Sequence, residues 1–435
     1  MNFTNVIVER ESIFPRDIEA KLLKWIDRRE AYAIKGPRQS GKTTLLRILE
    51  DALKKKGTNT VFLNFEDPDV LESFEANAKE YVKSFLIKEG RHCFLMDEYH
   101  YTKEPGKKLK LLYDIFDSVK FVVTGSSSLE LSGAMAKFLV GRVFFFELFP
   151  FSFHEVLTAK NPRLAKIYEE ENKKITKFVL SGEIEIREDL FLKEFSPLFG
   201  QYITFGGYPA VVKAEDPETK RMILKNIYDT YVSKDVVGFL RVSDATKYRH
   251  VVRALAVLIG NMINYNELCS ACEVYYKELK RILSILSETY IIKLVQPFYR
   301  NPLTELRKVP KVYFYDLGLR NHIIDNFNSL EKRTDSGALI ENQVFLSLKR
   351  SFPDATINYW RTVAKAEVDF VLRTEEEIVP IEVKYQTFKK PKISRGLRSF
   401  IKSYKIKKAL VVTKNYWDKT EIDGATILFI PVSYL

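Results

Sequence analysis

Residues 36–44 read Gly-Pro-Arg-Gln-Ser-Gly-Lys-Thr-Thr, which is the complete pattern G-x-x-x-x-G-K-[ST] of a phosphate-binding loop. The loop lies between an apolar run, residues 31–34, and a stretch whose leucines and isoleucines recur at helical spacing. Gly36 and Gly41 permit positive φ angles and a close approach of the backbone to an anion. A chance match to four fixed positions is the alternative, but the strand–loop–helix context argues against it. The stretch therefore predicts a parallel α/β fold with a nucleoside-triphosphate site.

The polar residues of this loop have individual predicted contacts with ATP. Lys42 would reach the β- and γ-phosphates, and Thr43 would offer its hydroxyl to Mg²⁺. Backbone N–H groups would point at phosphate oxygens, because a helix begins directly after the loop. The residues predicted to bind the nucleotide are Gly36, Pro37, Arg38, Gln39, Ser40, Gly41, Lys42, Thr43 and Thr44.

A second apolar strand ends in two carboxylates. Residues 93–96 are Cys-Phe-Leu-Met, and Asp97 and Glu98 follow them directly. This arrangement is typical of a site in which an aspartate holds Mg²⁺ and a glutamate activates the attacking water. We therefore predict that Asp97 is a metal residue, that Glu98 is the catalytic base and that Lys42 stabilises the transferred phosphoryl group.

Two further residues are candidates for contact with the γ-phosphate. Thr124 follows the apolar residues 121–123, and its hydroxyl, like those of residues 126–128, could sense the γ-phosphate; capping of the strand end explains the three serines equally well. Arg142 precedes the apolar residues 143–146 and could neutralise transition-state charge in its own chain or in a neighbouring subunit of a homo-oligomer. An ordinary salt bridge is the alternative for Arg142.

The composition is that of a globular protein. The chain has 435 residues, 46% hydrophobic and 13% aromatic, which is enough for about three domains with packed cores. The longest apolar runs are of strand length, and the N-terminus carries charged residues, Glu9, Arg10, Glu11 and Arg16, without the apolar segment of a signal peptide. We therefore predict a cytoplasmic protein without a membrane segment. The three cysteines are too few for a disulfide framework, and we interpret them as small apolar residues.

The charge distribution favours a polyanionic partner. Lysine and arginine total 69 against 57 aspartate and glutamate residues, a net charge of +12. One basic block without any acid predicts contact with the DNA backbone, and a solvated helix face is the alternative. Its cations are Lys389, Lys390, Lys392, Arg395, Arg398, Lys402, Lys405, Lys407 and Lys408.

The order of elements divides the chain into four predicted parts. Residues 1–150 alternate strands and helices and predict the nucleotide-binding core, whereas residues 151–244 are helical and predict a lid or connector. In residues 245–335, three helices precede two short strands, an order that resembles a winged helix-turn-helix. The basic face of its third helix could contact DNA, although such modules also dock proteins. That face carries Lys277, Lys280 and Arg281.

Residues 336–435 form the fourth predicted part, with the element order of a restriction-endonuclease-like fold. A helix that carries Glu341 is followed by three strands, a basic helix and two more strands, which is the order αβββαβ with one extra strand. The predicted strands are residues 356–360, 367–372, 378–385, 409–413 and 426–430, with the basic helix at 392–404.

Acidic residues occupy the positions in this part that a metal-dependent nuclease needs. Glu382 and Lys384 share one face of their strand because side chains alternate with period two, and Asp369 on the preceding strand can approach Glu382. The two carboxylates would hold Mg²⁺ or Mn²⁺, with Glu341 as an accessory ligand, and Lys384 would orient water or stabilise developing phosphate charge. An exposed strand face with alternating charge is the alternative.

Recurring motifs connect the chain to a known family. They comprise residues 36–44, 97–98, 124–126, 141–142, 148–153, 206–209, 359–361, 367–370 and 381–384. With these motifs the sequence resembles the archaeal and bacterial AAA-type P-loop ATPases that end in a domain of unknown function related to PD-(D/E)xK nucleases. The resemblance spans nearly the whole chain and implies ATP binding and a nuclease-like C-terminal fold, without naming a pathway.

These observations predict an ATPase that couples its nucleotide state to a C-terminal domain acting on DNA. Two alternatives remain open. The first is an ATP-switched regulator that docks DNA or protein and has an inactive nuclease-like domain, and the second is a remodelling ATPase that acts on proteins.

Overall fold

The computed structural model describes residues 13–125, 138–185, 191–231, 245–299, 305, 308–375 and 377–435. Two compact units make up the chain. The first comprises residues up to Gly36, Ser40–Leu148 and Leu157–Pro162, and the second comprises Pro37–Gln39, Phe149–Val156 and Arg163–Leu435. The predicted boundary near residue 150 lies close to this division, whereas the boundaries at 245 and 336 fall inside the second unit and stay predictions. The serines at 126–128 lie outside the described residues.

Strands and helices alternate in the first unit, as the sequence predicts. In chain order the elements are α1 Ile18–Lys24, β1 Ala31–Lys35, α2 Lys42–Lys55, β2 Asn59–Asn64, α3 Pro68–Ala76, α4 Ala78–Ser84, β3 His92–Asp97, α5 Pro105–Ile115, β4 Val119–Gly125 and β5 Val143–Glu147. The sheet has the order β2-β3-β4-β1-β5, and every strand pair is parallel. All strands therefore end at the same edge, where loops can build a ligand site.

Both faces of this sheet are covered by apolar side chains. Along β1, Ala31 and Ala33 belong to one core, whereas Tyr32 and Ile34 belong to the other. The small alanines alternate with large residues because successive side chains of a strand point to opposite faces. Burial on both faces explains why the strands read as continuous apolar runs in the sequence.

After β5 the chain becomes helical, as predicted for the connector. The helices are α6 Phe153–Lys160, α7 Pro162–Ser181, α8 Leu192–Phe205, α9 Pro209–Lys213 and α10 Pro217–Tyr231. Among the helices of the described residues, none combines the length and apolar composition that a membrane crossing demands.

Three helices and a two-stranded hairpin follow. They are α11 Ala245–Val257, α12 Tyr265–Cys272, α13 Tyr276–Glu288, β6 Ile292–Val295 and β7 Lys311–Phe314, and α14 Leu317–Ile323 comes after the hairpin. The side chain of Asn264 accepts the N–H groups of Asn266 and Glu267 and so fixes the start of α12. Strands β6 and β7 pair antiparallel. The predicted helices and both predicted strands are therefore present.

The remaining residues form a helix, a mixed six-stranded sheet and a second helix. The elements are α15 Ser336–Ser351, β8 Thr356–Arg361, β9 Glu367–Arg373, β10 Ile378–Lys384, α16 Arg395–Tyr404, β11 Lys408–Thr413, β12 Asp418–Ile422 and β13 Ala425–Pro431. Their sheet order is β12-β13-β11-β10-β9-β8, with β8 to β10 antiparallel and β10, β11 and β13 parallel. Strand β12 was not expected, and the other elements follow the predicted order.

The motif Gly206-Gly207-Tyr208-Pro209 has a packing role within the second unit. A Cβ on Gly206 would lie 2.3 Å from Oδ1 of Asp316, and one on Gly207 would lie 2.2 Å from the carbonyl oxygen of Phe151. Asp316 accepts the N–H of Gly207 at 2.7 Å and the N–H of Leu319 at 2.8 Å, which also caps α14. Burial raises the pKa of Asp316 to about 6, although these N–H donors oppose the shift.

Candidate functional site

The phosphate loop joins β1 to α2 at the carboxyl edge of the parallel sheet. A Cβ on Gly36 would lie 2.0 Å from the carbonyl oxygen of Leu148, so only glycine fits beside β5. Gln39 and Gly41 have φ angles of 59° and 93°, and these left-handed residues turn the chain into the helix. Nζ of the buried Lys42 donates to the carbonyl oxygen of Gly36 at 3.1 Å, which places the ammonium across the loop.

Ser40 and Arg16 add two features that bear on the fit of a nucleotide. The hydroxyl of Ser40 is fully buried and has no hydrogen-bond partner within the described residues. The carbonyl oxygen of Ser40 accepts a 2.9 Å hydrogen bond from Nη1 of the buried Arg16. An unsatisfied hydroxyl inside a loop of this pattern fits a missing phosphate acceptor. The hydrogen bond from Arg16 to the phosphate loop was not predicted. Arg16 lies 20 residues before Gly36, so no local pattern in the sequence indicated this contact.

Asp97 is held between two threonine hydroxyls. Thr43 donates to Oδ2 of Asp97 at 2.6 Å, and Thr124 donates to Oδ1 at 2.5 Å. Strand β4 lies between β1 and β3, which brings Thr124 next to Asp97. The structure thus joins three predicted residues into one cluster of oxygen atoms, the donor type that Mg²⁺ prefers.

Glu98 has a backbone conformation that is unusual for a residue with a side chain. Its φ angle is 50°, and its N–H donates to Oγ1 of Thr124 at 3.0 Å. Oε2 of Glu98 lies 3.0 Å from Nδ1 of His100, and both side chains are largely buried. Left-handed residues other than glycine are rare and cluster at functional sites. His100 was not predicted, although its position two residues after the proposed base was a signal.

Arg142 requires a correction. Val143 pairs with Ala31 at the start of β1, so Arg142 lies at the opposite edge of the sheet from the phosphate loop. Five residues of strand separate the two edges, which is about 16 Å. Its Nε lies 3.4 Å from Oδ1 of Asp114, so the ordinary salt bridge is present and a contact of Arg142 with a nucleotide of the same chain is excluded. A contribution of Arg142 to a neighbouring subunit stays a prediction.

The C-terminal sheet brings Asp369 to the strand that carries Glu382 and Lys384. Oδ2 of Asp369 accepts the N–H of Val383 at 2.7 Å, so the aspartate lies directly beside this pair of residues. Oε1 of Glu382 lies 3.0 Å from Nζ of Lys384, and Oε2 accepts a 2.8 Å hydrogen bond from Oγ of Ser394. Ser394 also caps α16, so the glutamate is oriented by a helix start that the sequence did not reveal.

The charges of this cluster shift its pKa values. Burial, together with the charge of Glu341, raises the pKa of Asp369 to about 7, although Lys311 opposes the shift. For Lys384 burial opposes the charged form, but the carboxylates of Glu382 and Asp369 outweigh it and raise the pKa. Raised carboxylate pKa values are frequent where acidic residues share a site.

The proposed role of Glu341 as an accessory ligand is not supported. Its Oε1 lies 3.0 Å from Nζ of Lys311 and accepts a 2.6 Å hydrogen bond from the hydroxyl of Tyr313. Lys311 is 4% exposed and also pairs with Glu367 at 2.6 Å. Within the described ranges no three carboxylate, histidine or cysteine side chains converge as a metal site. The ammonium of Lys311 thus neutralises Glu341 and Glu367. This contact was not predicted because Lys311 and Glu341 lie 30 residues apart in the sequence.

The basic block is only partly a free surface. Lys389, Lys390, Lys392, Arg395, Lys405 and Lys407 are exposed. Arg398 and Lys402 both lie near Asp423, at 3.8 and 3.5 Å. Lys408 is buried and donates to the carbonyl oxygen of Leu180 at 2.9 Å, so its assignment to the DNA-binding surface was wrong. Lys408 is the first residue of β11, and all six residues of this strand are buried.

Three family models match separate parts of the chain. Residues 28–157 match the model described as AAA domain. This region is therefore similar to AAA domains. Residues 196–330 match "Domain of unknown function (DUF8612)", and residues 336–435 match "Domain of unknown function (DUF4143)". The match to residues 336–435 has the same bounds as the predicted fourth part of the chain.

Curated relatives extend along most of the chain. An uncharacterized protein of Haemophilus influenzae is 26% identical over 443 residues, which covers 98% of each chain. An uncharacterized protein of Methanocaldococcus jannaschii is 28% identical over 408 residues, which covers 92% of this chain and 83% of the relative. The similarity to these relatives therefore extends well beyond the region that matches the AAA domain.

Solved structures show weak similarity. The Aeropyrum pernix ORC1 protein in complex with DNA is 14% identical, with a TM-score of 0.28, and the match covers 72% of this chain and 93% of that one. The replication initiator DnaA bound to AMPPCP and single-stranded DNA is 13% identical, with a TM-score of 0.28 and coverage of 62% and 86%. Likeness of this strength carries no inference about function.

Proposed function

We propose that this protein binds and hydrolyses ATP with Mg²⁺. The observation that carries the proposal is the position of Asp97, whose carboxylate is held by the hydroxyls of Thr43 and Thr124 next to the phosphate loop. Thr43 and Asp97 would hold the ion, which when bound neutralises charge on the β- and γ-phosphate oxygens. Lys42 is a second cation for the phosphates.

Glu98 is the proposed base that orients the attacking water. Its Oε2 lies 3.0 Å from Nδ1 of His100, so the carboxylate and the imidazole are neighbours in the site. The backbone N–H of Glu98 is fixed by Thr124, which links the position of the base to the same hydroxyl that contacts Asp97. Thr124 would therefore connect the metal residue and the base, in addition to the predicted sensing of the γ-phosphate by its hydroxyl.

The test is a phosphate-release assay on the full chain. ATP should be hydrolysed in Mg²⁺, and chelation of the ion should remove turnover while a fluorescent nucleotide analogue still reports binding. Absence of nucleotide binding by calorimetry would refute the proposal.

For the C-terminal part we propose a nuclease-like domain that cleaves DNA with Mg²⁺ or Mn²⁺. The element order of α15 to β11 and the contact between Asp369 and the backbone of Val383 support it, because they put two carboxylates and Lys384 side by side. Asp369 and Glu382 would hold the ion, and Lys384 would stabilise charge on the cleaved phosphate. ATP binding would then govern access of DNA to this domain.

A specific observation favours the rival, an ATP-switched regulator with an inactive nuclease-like domain. Glu341 is paired with Lys311, and both oxygens of Glu382 are engaged, by Lys384 and by Ser394. Metal titration by calorimetry discriminates the two functions. Binding of Mn²⁺ that depends on Asp369 supports the nuclease, whereas no binding supports the regulator. Stimulation of ATP hydrolysis by unfolded protein instead of DNA would support a remodelling ATPase.

DNA is the proposed partner in both leading functions. Helices α11 to α13 and the β6–β7 hairpin would form a winged helix, and α13 exposes Lys277, Lys280 and Arg281 while it buries its apolar face. The exposed cations of the basic block provide a second surface for phosphates. A gel-shift titration with duplex DNA at increasing salt tests this association.

A further inference from the structure

Three tyrosines form an aromatic surface at the starts of α12 and α13. This tyrosine patch consists of Tyr265, Tyr275 and Tyr276. Tyr275 is 83% exposed and Tyr276 is 54% exposed, although a tyrosine ring is largely apolar. Amphipathic aromatic residues at this exposure are typical of binding surfaces.

The patch is ordered by its own contacts. The rings of Tyr265 and Tyr276 lie 5.9 Å apart at an angle of 70°. Nζ of Lys280 lies 3.8 Å from the centre of the Tyr265 ring and 5.5 Å from that of Tyr276. Tyr265 is the first residue of α12, whose start is fixed by Asn264, and Tyr276 is the first residue of α13. Tyr275 makes no ring contact with another described residue.

Three cations lie next to the tyrosine patch. Lys277, Lys280 and Arg281 are exposed on the first turns of α13. Three acids, Glu267, Glu273 and Glu278, lie within the same stretch, so it carries as many acids as cations, and the cations are grouped at residues 277–281. Aromatic faces next to exposed cations are the combination that binds single-stranded nucleic acid, because unpaired bases stack on the rings while cations pair with phosphates.

We propose that the tyrosine patch binds single-stranded nucleic acid, with unpaired bases stacked on Tyr275 and Tyr276 and phosphates paired with Lys277, Lys280 and Arg281. This inference deepens the DNA association proposed above, on which it rests, by naming the form of the nucleic acid. A duplex keeps its bases stacked on each other, so it can use the cations but not the ring faces. The exposed rings therefore favour unpaired strands.

The experiment compares full-length variants by fluorescence anisotropy with labelled oligo(dT) and with a labelled duplex. The variant Tyr275→Ala/Tyr276→Ala should bind oligo(dT) roughly tenfold or more weakly, since a base–tyrosine stack contributes on that scale. Its affinity for the duplex and the salt dependence of its binding should match the wild type. Tyr275→Phe/Tyr276→Phe should restore binding, because the ring faces remain.

Two matched controls separate stacking from charge. Met222→Ala, which removes an exposed apolar side chain elsewhere in the same unit, should change neither affinity. Lys277→Ala/Lys280→Ala should weaken both nucleic acids and lower the salt dependence. Circular dichroism spectra should coincide for all variants.

Oligo(dT) affinity that is unchanged in Tyr275→Ala/Tyr276→Ala, with duplex binding still sensitive to the lysines, would overturn the stacking proposal and leave the DNA association intact. Loss of oligo(dT) and duplex binding to the same extent in the tyrosine variant would also overturn it. Absence of binding to either nucleic acid by the wild type would overturn both proposals.

Discussion

Nζ of Lys311 on β7 lies 3.0 Å from Oε1 of Glu341 on α15, and the same ammonium pairs with Glu367 on β9. One buried cation thus joins the hairpin to the helix and the sheet of the C-terminal part. Burial opposes the charge of Lys311, but the surrounding carboxylates, Glu341 foremost, more than compensate and raise its pKa. Lys311 therefore keeps its positive charge at neutral pH although it is buried.

Replacement of Lys311 by methionine should lower the free energy of unfolding by about 3 kcal/mol, because removal of one partner leaves the other charges of a buried cluster unpaired. Chemical denaturation followed by circular dichroism measures the change. Lys308→Met is the matched control, since Lys308 is exposed three residues earlier, and it should change stability little. Equal stability of the two variants would contradict a structural role for the Lys311 pairs.

Two variants of the predicted nucleotide site should separate ATP binding from ATP hydrolysis. Lys42→Ala should weaken or abolish ATP binding because it removes a cation from the phosphates. Glu98→Gln should bind ATP normally and lose about 10²- to 10⁴-fold in turnover, since only activation of water is removed. Calorimetry and phosphate release measure the two effects. Glu72→Gln, an exposed glutamate on α3, is the control, and normal turnover by Glu98→Gln would show that another residue is the base.

The C-terminal site should be chemically independent of ATP hydrolysis. Wild-type protein should cut a DNA substrate in Mg²⁺ or Mn²⁺, and Asp369→Ala or Glu382→Ala should end cleavage while ATP turnover persists. Lys384→Ala should retain metal binding and slow the reaction, as expected when transition-state stabilisation is lost. Duplex, single-stranded and branched DNA should be compared in a cleavage assay. If the protein binds no metal and cleaves none of these substrates, the ATP-switched regulator is better supported than the nuclease.

The exposed part of the basic block should contribute to salt-dependent DNA binding. Replacement of Lys405 and Lys407 by alanine should reduce the slope of log K against log salt by about 0.9 for each lost phosphate contact. Lys55→Ala/Lys56→Ala, at the last residue of α2 and the residue after it, is the control with equal loss of charge. A slope that changes equally in both double variants would mean that net charge alone, and not this surface, contacts the DNA.

Asp316 should make stability depend on pH. Its pKa is about 6 in the folded protein against an ordinary value near 3.8, so the folded state binds the proton more tightly. The stabilisation from this group is complete below about pH 4 and is lost as the pH rises through 6, a change of about 3 kcal/mol at most. Asp316→Asn removes this dependence but also loses one of two N–H contacts.

The destabilisation caused by Asp316→Asn should therefore be larger at pH 4 than at pH 7. Thermal unfolding midpoints of wild type and variant at both pH values provide the measurement, and all other titrating groups cancel in the difference. Asp354→Asn, at an exposed position, should give no pH-dependent difference. A destabilisation that grows with pH would contradict the raised pKa.

The phosphate loop, Asp97 and Glu98 could be predicted from the sequence because their contacts are built from local patterns. A loop of fixed spacing between a strand and a helix has few conformations, and a strand that ends in acids places them at the carboxyl edge of a parallel sheet. The element order of residues 336–435 followed in the same way from hydrophobic periodicity. Strand β12 was not predicted because Asp418–Ile422 is short and polar and lies at the sheet edge.

Contacts between residues far apart in the chain were decided by the tertiary structure. Arg142 lies beside Asp114 and away from the nucleotide because β5 pairs with β1 in a register that starts at Ala31. Lys311 reaches Glu341 and Glu367, and Lys408 turns inward to Leu180, only once separate elements pack together. Periodicity along one element records which face is buried, whereas the identity of the partner on that face depends on strand order and register, which no single segment of sequence contains.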